Sequence, residues 1–534
     1  MFKYLSKFAK TIQDSGAQTA NHSPKTGKGN SAQNLYPELA KNLDNLRAVL
    51  GASDDVIIRE FSLGPRGNID AALIFIEGMI DKNTVDENIL KPLMYNKQFQ
   101  SPGDSSHLND IENLMKRAVS VREAQRVSSA GKVISGILCG DTVLFVDGSS
   151  KALVLSTKGW ESRAVEEPNT ETVVRGPREG FTENFRTNTA LLRRKIQNPN
   201  LIIETIQSGE KTKTKIGLAY IRGIVNPELI KELKRRLDRI KIDAVLESGY
   251  IEQLIEDAPL SPFATVGNSE KPDVVAGKIM EGRAAVLVDG TPMVLTLPRL
   301  FVENFQSSED YYSRPYYSSL IRLVRYISFL ISILAPASYV ALSTFHQELI
   351  PTPLLITMAA ATEGTPFPAI MEALGMGVIF EILREAGIRL PRPVGQAVSI
   401  VGALVIGEVA VVAGIVGAPM VIVIALTAIA SFVTPPLTDA SAIIRIILVL
   451  LAGFIGAFGI VIGLIGVLIH LASIRSFGVP FLAPMAPMVP EELKDTYIRV
   501  PWWLMVTRPR SIGQHDPHRQ NFRLMPRPSS DTEQ

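Results

Sequence analysis

The residues best placed for chemistry are acidic side chains inside the apolar last third of the chain. A carboxylate among apolar residues is costly to bury, so it faces an ion-pair partner, a cavity or a water-filled path, where it can attract a cation. Glu408 stands alone in the middle of an otherwise uncharged run, 397–416. Glu381 is expected at an interface instead, because Arg384 lies one helical turn further on and can pair with it. The candidate pore or polar membrane residues are Glu363, Glu372, Glu408 and Asp439.

Small residues form one helical stripe along 397–416. Its members are Ser399, Ala403, Gly407, Ala410 and Gly414. Small side chains allow a neighbouring helix to approach closely, as in oligomeric bundles. Two interpretations of Glu408 stay open. Either it is hydrogen-bonded inside a tightly packed helix bundle, or it lines a cation path inside a ring of such helices from several copies.

A second group of candidates lies in a charged connector at 159–200. Its arginines have the chemistry to bind an anion or a phosphate, but glutamates are interleaved with them along the whole segment. This mixture of signs favours salt bridges at an interface between subdomains or between subunits. The interface candidates are Trp160, Glu161, Arg163, Arg175, Arg178 and Glu179.

Other chemistries find little support in the sequence. We find no phosphate-binding glycine loop, no dinucleotide-binding motif and no zinc-protease motif, and the six histidines do not cluster at metal-ligand spacing. The only cysteine, Cys139, lies in a strand-like run and is interpreted as a small buried residue. The net charge of +2 argues against nucleic acid as the main partner. We therefore expect neither an enzyme nor a bound cofactor or metal.

The polar residues at 363–439 belong to a long apolar block, about 318–474, that predicts a helical membrane domain. The prolines and glycine of 363–368 interrupt one helix, and Gly417 and Pro419 turn a helical hairpin. The run 443–474 is either one tilted helix or two shorter ones. Arginines at its borders predict an even number of crossings, four to six, with the N-terminal domain and the C-terminus in the cytoplasm.

The region before the membrane block contains an internal duplication. The segments 139–155 and 281–297 each predict a strand, an Asp-Gly turn and a second strand. The strands that end at Gly78 and Gly223 also correspond. The predicted fold is thus an α+β soluble N-terminal region of two related α/β subdomains, followed by an all-α polytopic membrane domain. The predicted boundaries are 1–53 (basic terminus and linker), 54–158 (first subdomain), 159–200 (connector), 201–305 (second subdomain), 306–475 (membrane domain) and 476–534 (cytoplasmic tail).

Several motifs together make the chain resemble one known family, the A subunits of the GerA family of spore germinant receptors. The resemblance covers about 54–509. The motifs are GWESR at 159–163, VRGPREGF at 174–181, LESGYIEQLIED at 246–257, GTPFP at 364–368, REAGIRLP at 384–391 and SFGVP at 476–480. In that family a glutamine is common where this chain has Glu408.

The resemblance implies a nutrient-sensing complex in the spore inner membrane. It implies B and C subunits as partners, contact with membrane lipid, and a homo-oligomer, a pentamer in that family, that conducts cations when germinants bind. A related accessory protein, the stage V sporulation channel that amplifies germination, is the alternative. A secondary transporter is a weaker alternative, because the membrane half of the sequence shows no repeat.

Overall fold

The computed structural model describes residues 34–63, 69–95, 121, 123–159, 168, 171–389, 407–513 and 516–520. The chain divides into two compact units. One contains Met1–Glu161 with Ile196–Asn200, and the other contains Ser162–Lys195 with Leu201–Gln534. The predicted connector is therefore divided, and most of it belongs to the unit that also contains the helical region.

The first unit is an antiparallel sheet with helices. Its strands lie in the order β1-β2-β4-β5-β3. β4 is buried along its whole length, as its apolar sequence and inner position in the sheet require. The elements are α1 (Leu39–Leu50), β1 (Val56–Leu63), β2 (Ile69–Ile76), α2 (Lys82–Val85), a π-helical turn (Asp86–Leu90), α3 (Lys91–Tyr95), β3 (Ala124–Val127), α4 (Ala130–Leu138), β4 (Thr142–Val146) and β5 (Ala152–Leu155).

The second unit begins with a sheet of the same design. Its strand order, β6-β7-β9-β10-β8, repeats that of the first sheet, and all its pairs are antiparallel. The elements are α5 (Phe185–Lys195), β6 (Leu201–Ser208), β7 (Thr214–Ile221), α6 (Pro227–Asp238), α7 (Ser248–Ile255), β8 (Gly267–Ser269), α8 (Pro272–Met280), β9 (Ala284–Val288) and β10 (Val294–Leu297).

The two predicted hairpins are confirmed. β4 pairs with β5 and β9 pairs with β10. The glycines of both Asp-Gly turns, Gly148 and Gly290, have φ values of 85° and 92°, which other residues rarely adopt. The prediction for Cys139 is wrong. It caps the end of α4 instead of lying in a strand, because the apolar run before it is helical and Gly140, at φ 88°, ends the helix.

Helices make up most of the remaining second unit. They are α9 (Glu309–Tyr312), α10 (Pro315–Thr344), α11 (Thr352–Thr362), α12 (Ala369–Arg389), α13 (Ala418–Phe432), α14 (Thr438–Ile455) and α15 (Ala457–Ser473), with short 3-10 turns at Phe301–Phe305, Gln347–Leu349, Pro435–Leu437, Leu493–Asp495 and Trp502–Leu504 and a short strand pair, β11 (Arg475–Ser476) and β12 (Val479–Pro480). Among the described residues, two helices are long and apolar enough to cross a membrane: Pro315–Thr344, with mean hydropathy 1.7, and Pro435–Ile455, with mean hydropathy 2.0.

The predicted helix breaks have clear outcomes. The interruption at 363–368 is confirmed, since α11 ends before it and α12 begins after it. The run 443–474 contains two helices, because Gly456 adopts φ 68° and ψ −146°, a conformation open mainly to glycine. The helix predicted at 397–416 is described only from Gly407. Its helical part ends at Val412, so the predicted end is too late, and Gly414 at φ 65° is the reason.

Candidate functional site

A fully buried arginine joins the first long helix to the residues on either side of the helical region. Arg322, in the second turn of α10, has no solvent-exposed surface. Its Nη2 and Nε lie 3.2 and 3.3 Å from Oδ2 of Asp310, which belongs to α9. Its Nη1 donates to the carbonyl and to Oδ1 of Asp495, at 2.5 and 2.9 Å. Since a buried guanidinium must be paired, these two carboxylates hold α10 between the preceding helix and the C-terminal tail.

Further bonds complete this group, which we call the Arg322 junction (Asp310, Tyr311, Arg322, Arg325 and Asp495). Arg325 donates to both oxygens of Asp310, at 2.9 and 2.7 Å. The hydroxyl of Tyr311 donates to Oδ2 of Asp495 at 2.8 Å. Burial raises the pKa of Asp495 despite the nearby charge of Arg322. Asp310 is 3% exposed, whereas the side chain of Asp495 is 26% exposed, so Asp310 is the more deeply buried acid of the junction.

Aromatic rings continue the connection between the sheet and the helices. Phe305, which follows the second sheet, stacks on Tyr326 of α10 with centroids 3.9 Å apart. Phe301 packs edge-on against Phe329 of α10, at 6.2 Å, and against Phe481 of the tail, at 5.9 Å. These contacts are buried and apolar, so α10, the tail and the 3-10 turn Phe301–Phe305 that follows the sheet share one core, and displacement of one strains the others.

A second ionic group connects the segment between α8 and β9 with the C-terminal tail. Glu303 accepts from Arg283 at 2.9 Å and lies 3.1 Å from Nζ of Lys278. Burial opposes its ionisation, but the charges of Arg283 and Lys278 outweigh burial and hold the pKa of Glu303 at about 2. Glu281 pairs with Arg283 and also with Arg519, at 2.7 Å. We call this group the Glu303 cluster. It ties the start of β9 to the end of the described chain.

The predicted acidic residues occupy three different environments. Glu363 and Glu408 are exposed on the single chain, and Asp439 is 95% exposed, 3.9 Å from Arg384. Glu381 pairs with Arg384 at 2.8 Å and with Arg445 of α14 at 2.6 Å, which agrees with its expected position beside a partner. The structure therefore does not bring the four candidates together into one site.

Glu372 is the exception among the predicted acids, because it is 4% exposed. Its Oε2 lies 3.4 Å from the backbone nitrogen of Gly417, which precedes α13. Its Oε1 has no hydrogen-bond partner, and among the described residues no salt bridge reaches it. Glu372 thus connects the broken helix to the turn of the hairpin.

Two residues of the predicted small-residue stripe lie against other helices of the same chain, and their predicted role in an oligomeric bundle stays a prediction. Gly407 is buried, and a Cβ on it would lie 3.3 Å from Cγ1 of Val421, so α13 approaches here closely. Ala410 is partly buried against the same core. Gly414 ends the helical segment instead of extending the stripe. Ser399 and Ala403 lie outside the described residues.

The candidate connector residues that the structure describes make their contacts with residues of the second unit, to which they belong. Glu179 pairs with Arg194 at 3.2 Å and with Lys195 at 2.9 Å. The backbone nitrogen of Arg175 donates to Oε1 of Glu309 at 3.2 Å. Arg178 is exposed. Trp160, Glu161 and Arg163 lie outside the described residues, so the interface prediction stays a prediction.

Sequence reasoning missed the Arg322 junction. From the sequence alone, Arg322 and Arg325 are two of the arginines that border the apolar block and indicate its cytoplasmic side. A signal for the junction is Asp310, which lies 12 residues before Arg322 and 15 before Arg325. The partner Asp495 lies 173 residues after Arg322 and carries no local signal. In the described part of the chain, no three His, Cys, Asp or Glu side chains are grouped to hold a metal ion.

Comparisons with known proteins extend over both sheets and the helices. A family described as Bacillus/Clostridium GerA spore germination protein matches residues 44–511. The chain is 48% identical over 498 residues to spore germination protein KA of Bacillus subtilis (strain 168), covering 93% of this chain and 90% of that protein. It is 40% identical over 485 residues to spore germination protein GerLA of Bacillus cereus, covering 90% and 97%. The crystal structure of the N-terminal domain of the A subunit of the Bacillus megaterium spore germinant receptor GerK3 matches with 36% identity and a TM-score of 0.40, over 51% of this chain and 98% of that one.

Proposed function

The chain belongs to the Bacillus/Clostridium GerA spore germination protein family, and from this premise we propose that it is the A subunit of a nutrient germinant receptor. In this proposal several copies assemble in the spore inner membrane, together with B and C subunits, into a channel that releases cations when a nutrient binds. The relatives are named as germination proteins, and we propose no enzymatic step.

The exposure of Glu408 on a single chain is the observation that carries the channel proposal. Its neighbours Val409 and Val412 are 57% and 82% exposed, so the carboxylate stands on an apolar surface. Such a surface suits lipid or another protein, whereas the carboxylate requires water or a partner. A ring of copies meets both requirements, because apolar residues contact neighbouring helices while Glu408 faces a shared water-filled path.

The Arg322 junction supplies a route from the sheet to this path. α10 is fixed at its base to Asp310 and Asp495, and along its length it packs against α13 and α14. In this proposal, a shift of the segment 301–312, which follows the second sheet, moves α10 and the helices around it. We propose that nutrient binding by the complex uses this connection to change the width of the path.

Spores provide a direct test of the receptor proposal. Deletion of the gene is expected to abolish the response to one nutrient class while leaving germination by other receptors intact, and B and C subunits are expected to purify with the tagged chain. An accessory amplifier would instead slow germination with every nutrient. Normal germination of the deletion strain with all nutrients, and purification without partners, would contradict the proposal.

A further inference from the structure

The break between α11 and α12 lies against the turn that precedes α13. A Cβ added to Gly417 would lie 2.8 Å from Cγ2 of Thr362 and 3.7 Å from both the carbonyl oxygen of Ala361 and Oε2 of Glu372. A Cβ added to Gly414 would lie 3.6 Å from the carbonyl oxygen of Gly364. The absence of side chains at these glycines therefore lets two interrupted backbone segments and one carboxylate meet closely.

The electrostatics of this place favour a positive charge. α11 ends at Thr362 and the helical segment 407–412 ends just before Gly414, so both present the negative ends of their dipoles. Glu372 adds a full negative charge, and its Oε1 is buried without a hydrogen-bond partner. The N-termini of α12 and α13 favour a carboxylate at Glu372, and the backbone nitrogen of Gly417 donates to Oε2, but Oε1 is left unpartnered.

Among the described residues, no Lys, Arg or His side chain forms a salt bridge with Glu372. The next acid along α12, Glu381, pairs with both Arg384 and Arg445. Ala373, Val416 and Met420, which are close in sequence to Glu372 or Gly417, are buried and apolar, and the phenol of Tyr339 in α10 lies near Glu372. A buried carboxylate with one free oxygen is costly unless something positive occupies the space beside it.

We propose that Glu372, with the carbonyl oxygens of Ala361 and Gly364, binds one monovalent alkali cation. One carboxylate balances one positive charge, and backbone carbonyls at broken helix ends are the ligands that such ions take in membrane proteins. A divalent ion would require more carboxylates than this place offers. The inference goes beyond the proposed channel activity and does not rest on it, since an ion held here can lock the two breaks together whether or not the protein conducts.

Equilibrium binding of radioactive rubidium and sodium to the purified full-length protein in detergent tests the inference. The unmutated protein is expected to bind one ion per chain. Glu372→Gln is expected to weaken binding about a hundredfold, because the only formal negative charge at the site is lost. Glu348→Gln is the control. It removes an exposed carboxylate that lies outside the helix break and is expected to leave the affinity unchanged.

Infrared difference spectra of the unmutated protein provide a second measurement that does not depend on the folding of the Glu372→Gln variant. Exchange of a bulky organic cation for rubidium is expected to shift carboxylate bands in the unmutated protein and in Glu348→Gln alike. Absence of saturable binding, equal affinity in Glu372→Gln, or carboxylate bands that do not change when rubidium is added would overturn the inference. Conduction through liposomes is measured separately. A negative binding result therefore contradicts only the ion site, and a negative flux result contradicts only the channel proposal.

Discussion

Arg322 is the residue on which the connection between sheet, helix and tail depends most. It is fully buried and bonds to two carboxylates from segments far apart in the sequence. Removing one partner of a buried ion pair leaves the other charge without compensation, whereas an exposed pair contributes little. We therefore expect a substitution of Arg322 to destabilise the second unit more than a substitution of an arginine in an exposed ion pair.

Replacing Arg322 by Met is expected to destabilise the protein by about 3 kcal/mol, because Asp495 loses its counter-charge whereas Asp310 keeps Arg325. The measurement is the loss of folded protein on heating in detergent, followed by size-exclusion chromatography. Arg389→Met is the control, since its pair with Glu385 is largely exposed and its loss should cost less than about 1 kcal/mol. Equal heat stability of both variants would show that the junction is not structural.

Glu303 makes stability depend on acidic pH. Its pKa is held at about 2 in the folded chain, against a usual value of 4.5. Because the folded pKa is depressed, its contribution is complete above about pH 4.5 and is lost as the pH falls towards about 2. The shift corresponds to roughly 3 kcal/mol. Glu303→Gln is thus expected to be less stable at pH 7 and to lose less stability than the unmutated protein as the pH falls.

The measurement for Glu303 is the apparent unfolding temperature between pH 7 and pH 3. Glu348→Gln, which alters an acid whose side chain is 72% exposed, is the control and should follow the unmutated profile. If the unfolding temperature fell equally steeply with acid in Glu303→Gln and in the unmutated protein, Glu303 would not be the source of the pH dependence.

At the scale of elements, helix breaks determine how the apolar region folds. The breaks at 363–368, 413–417 and Gly456 divide long apolar runs into helices of 11 to 21 residues. The break at Gly456 separates α14 from α15 and is packed tightly, since a Cβ there would lie 2.9 Å from Cβ of Phe345. Two causes, conformation and space, therefore require glycine at this position.

Gly456→Ala is expected to cost about 1–3 kcal/mol, because alanine rarely adopts this backbone conformation and its methyl group meets Phe345. Gly466→Ala is the matched control. It lies within α15, nothing lies within 4 Å of an added Cβ, and alanine favours a helix by about 1 kcal/mol over glycine. Heat stability of the two variants in parallel checks the prediction, and a neutral Gly456→Ala would mean that the break is not fixed by its glycine.

Much of this element structure was predictable from local sequence. The Asp-Gly turns predict both hairpins, and the prolines and glycine at 363–368 predict a helix break. Both predictions are possible because each signal lies within a few residues. The strand order and the Arg322 junction were not predictable in this way. β2 pairs with β4 across a long insertion, and Asp495 reaches Arg322 only after the chain has passed through the whole helical region. Cys139 was misplaced because a short apolar run suits a strand and a helix equally.

At the scale of the whole molecule, the proposal requires the N-terminal sheets to lie in the cytoplasm. The chain offers a simple test, since Cys139 is its only cysteine and is partly exposed. A membrane-impermeant thiol reagent is expected to label Cys139 in inverted vesicles but not in intact cells. In a Cys139→Ser background, Leu349→Cys places a thiol at a 68% exposed site between α10 and α11, and the opposite pattern is expected. Labelling of Cys139 in intact cells would contradict the proposed orientation and place the N-terminal sheets outside the cytoplasm.

The most direct test of the central claim is cation flux through liposomes that contain the purified receptor. The complete complex is expected to conduct when nutrient is added, and Glu408→Gln is expected to change the rate or ion preference while the oligomer remains intact. Glu348→Gln, outside the proposed path, should conduct like the unmutated protein. A chain that stays monomeric in lipid, with no nutrient-dependent flux from the complete complex, would contradict the account.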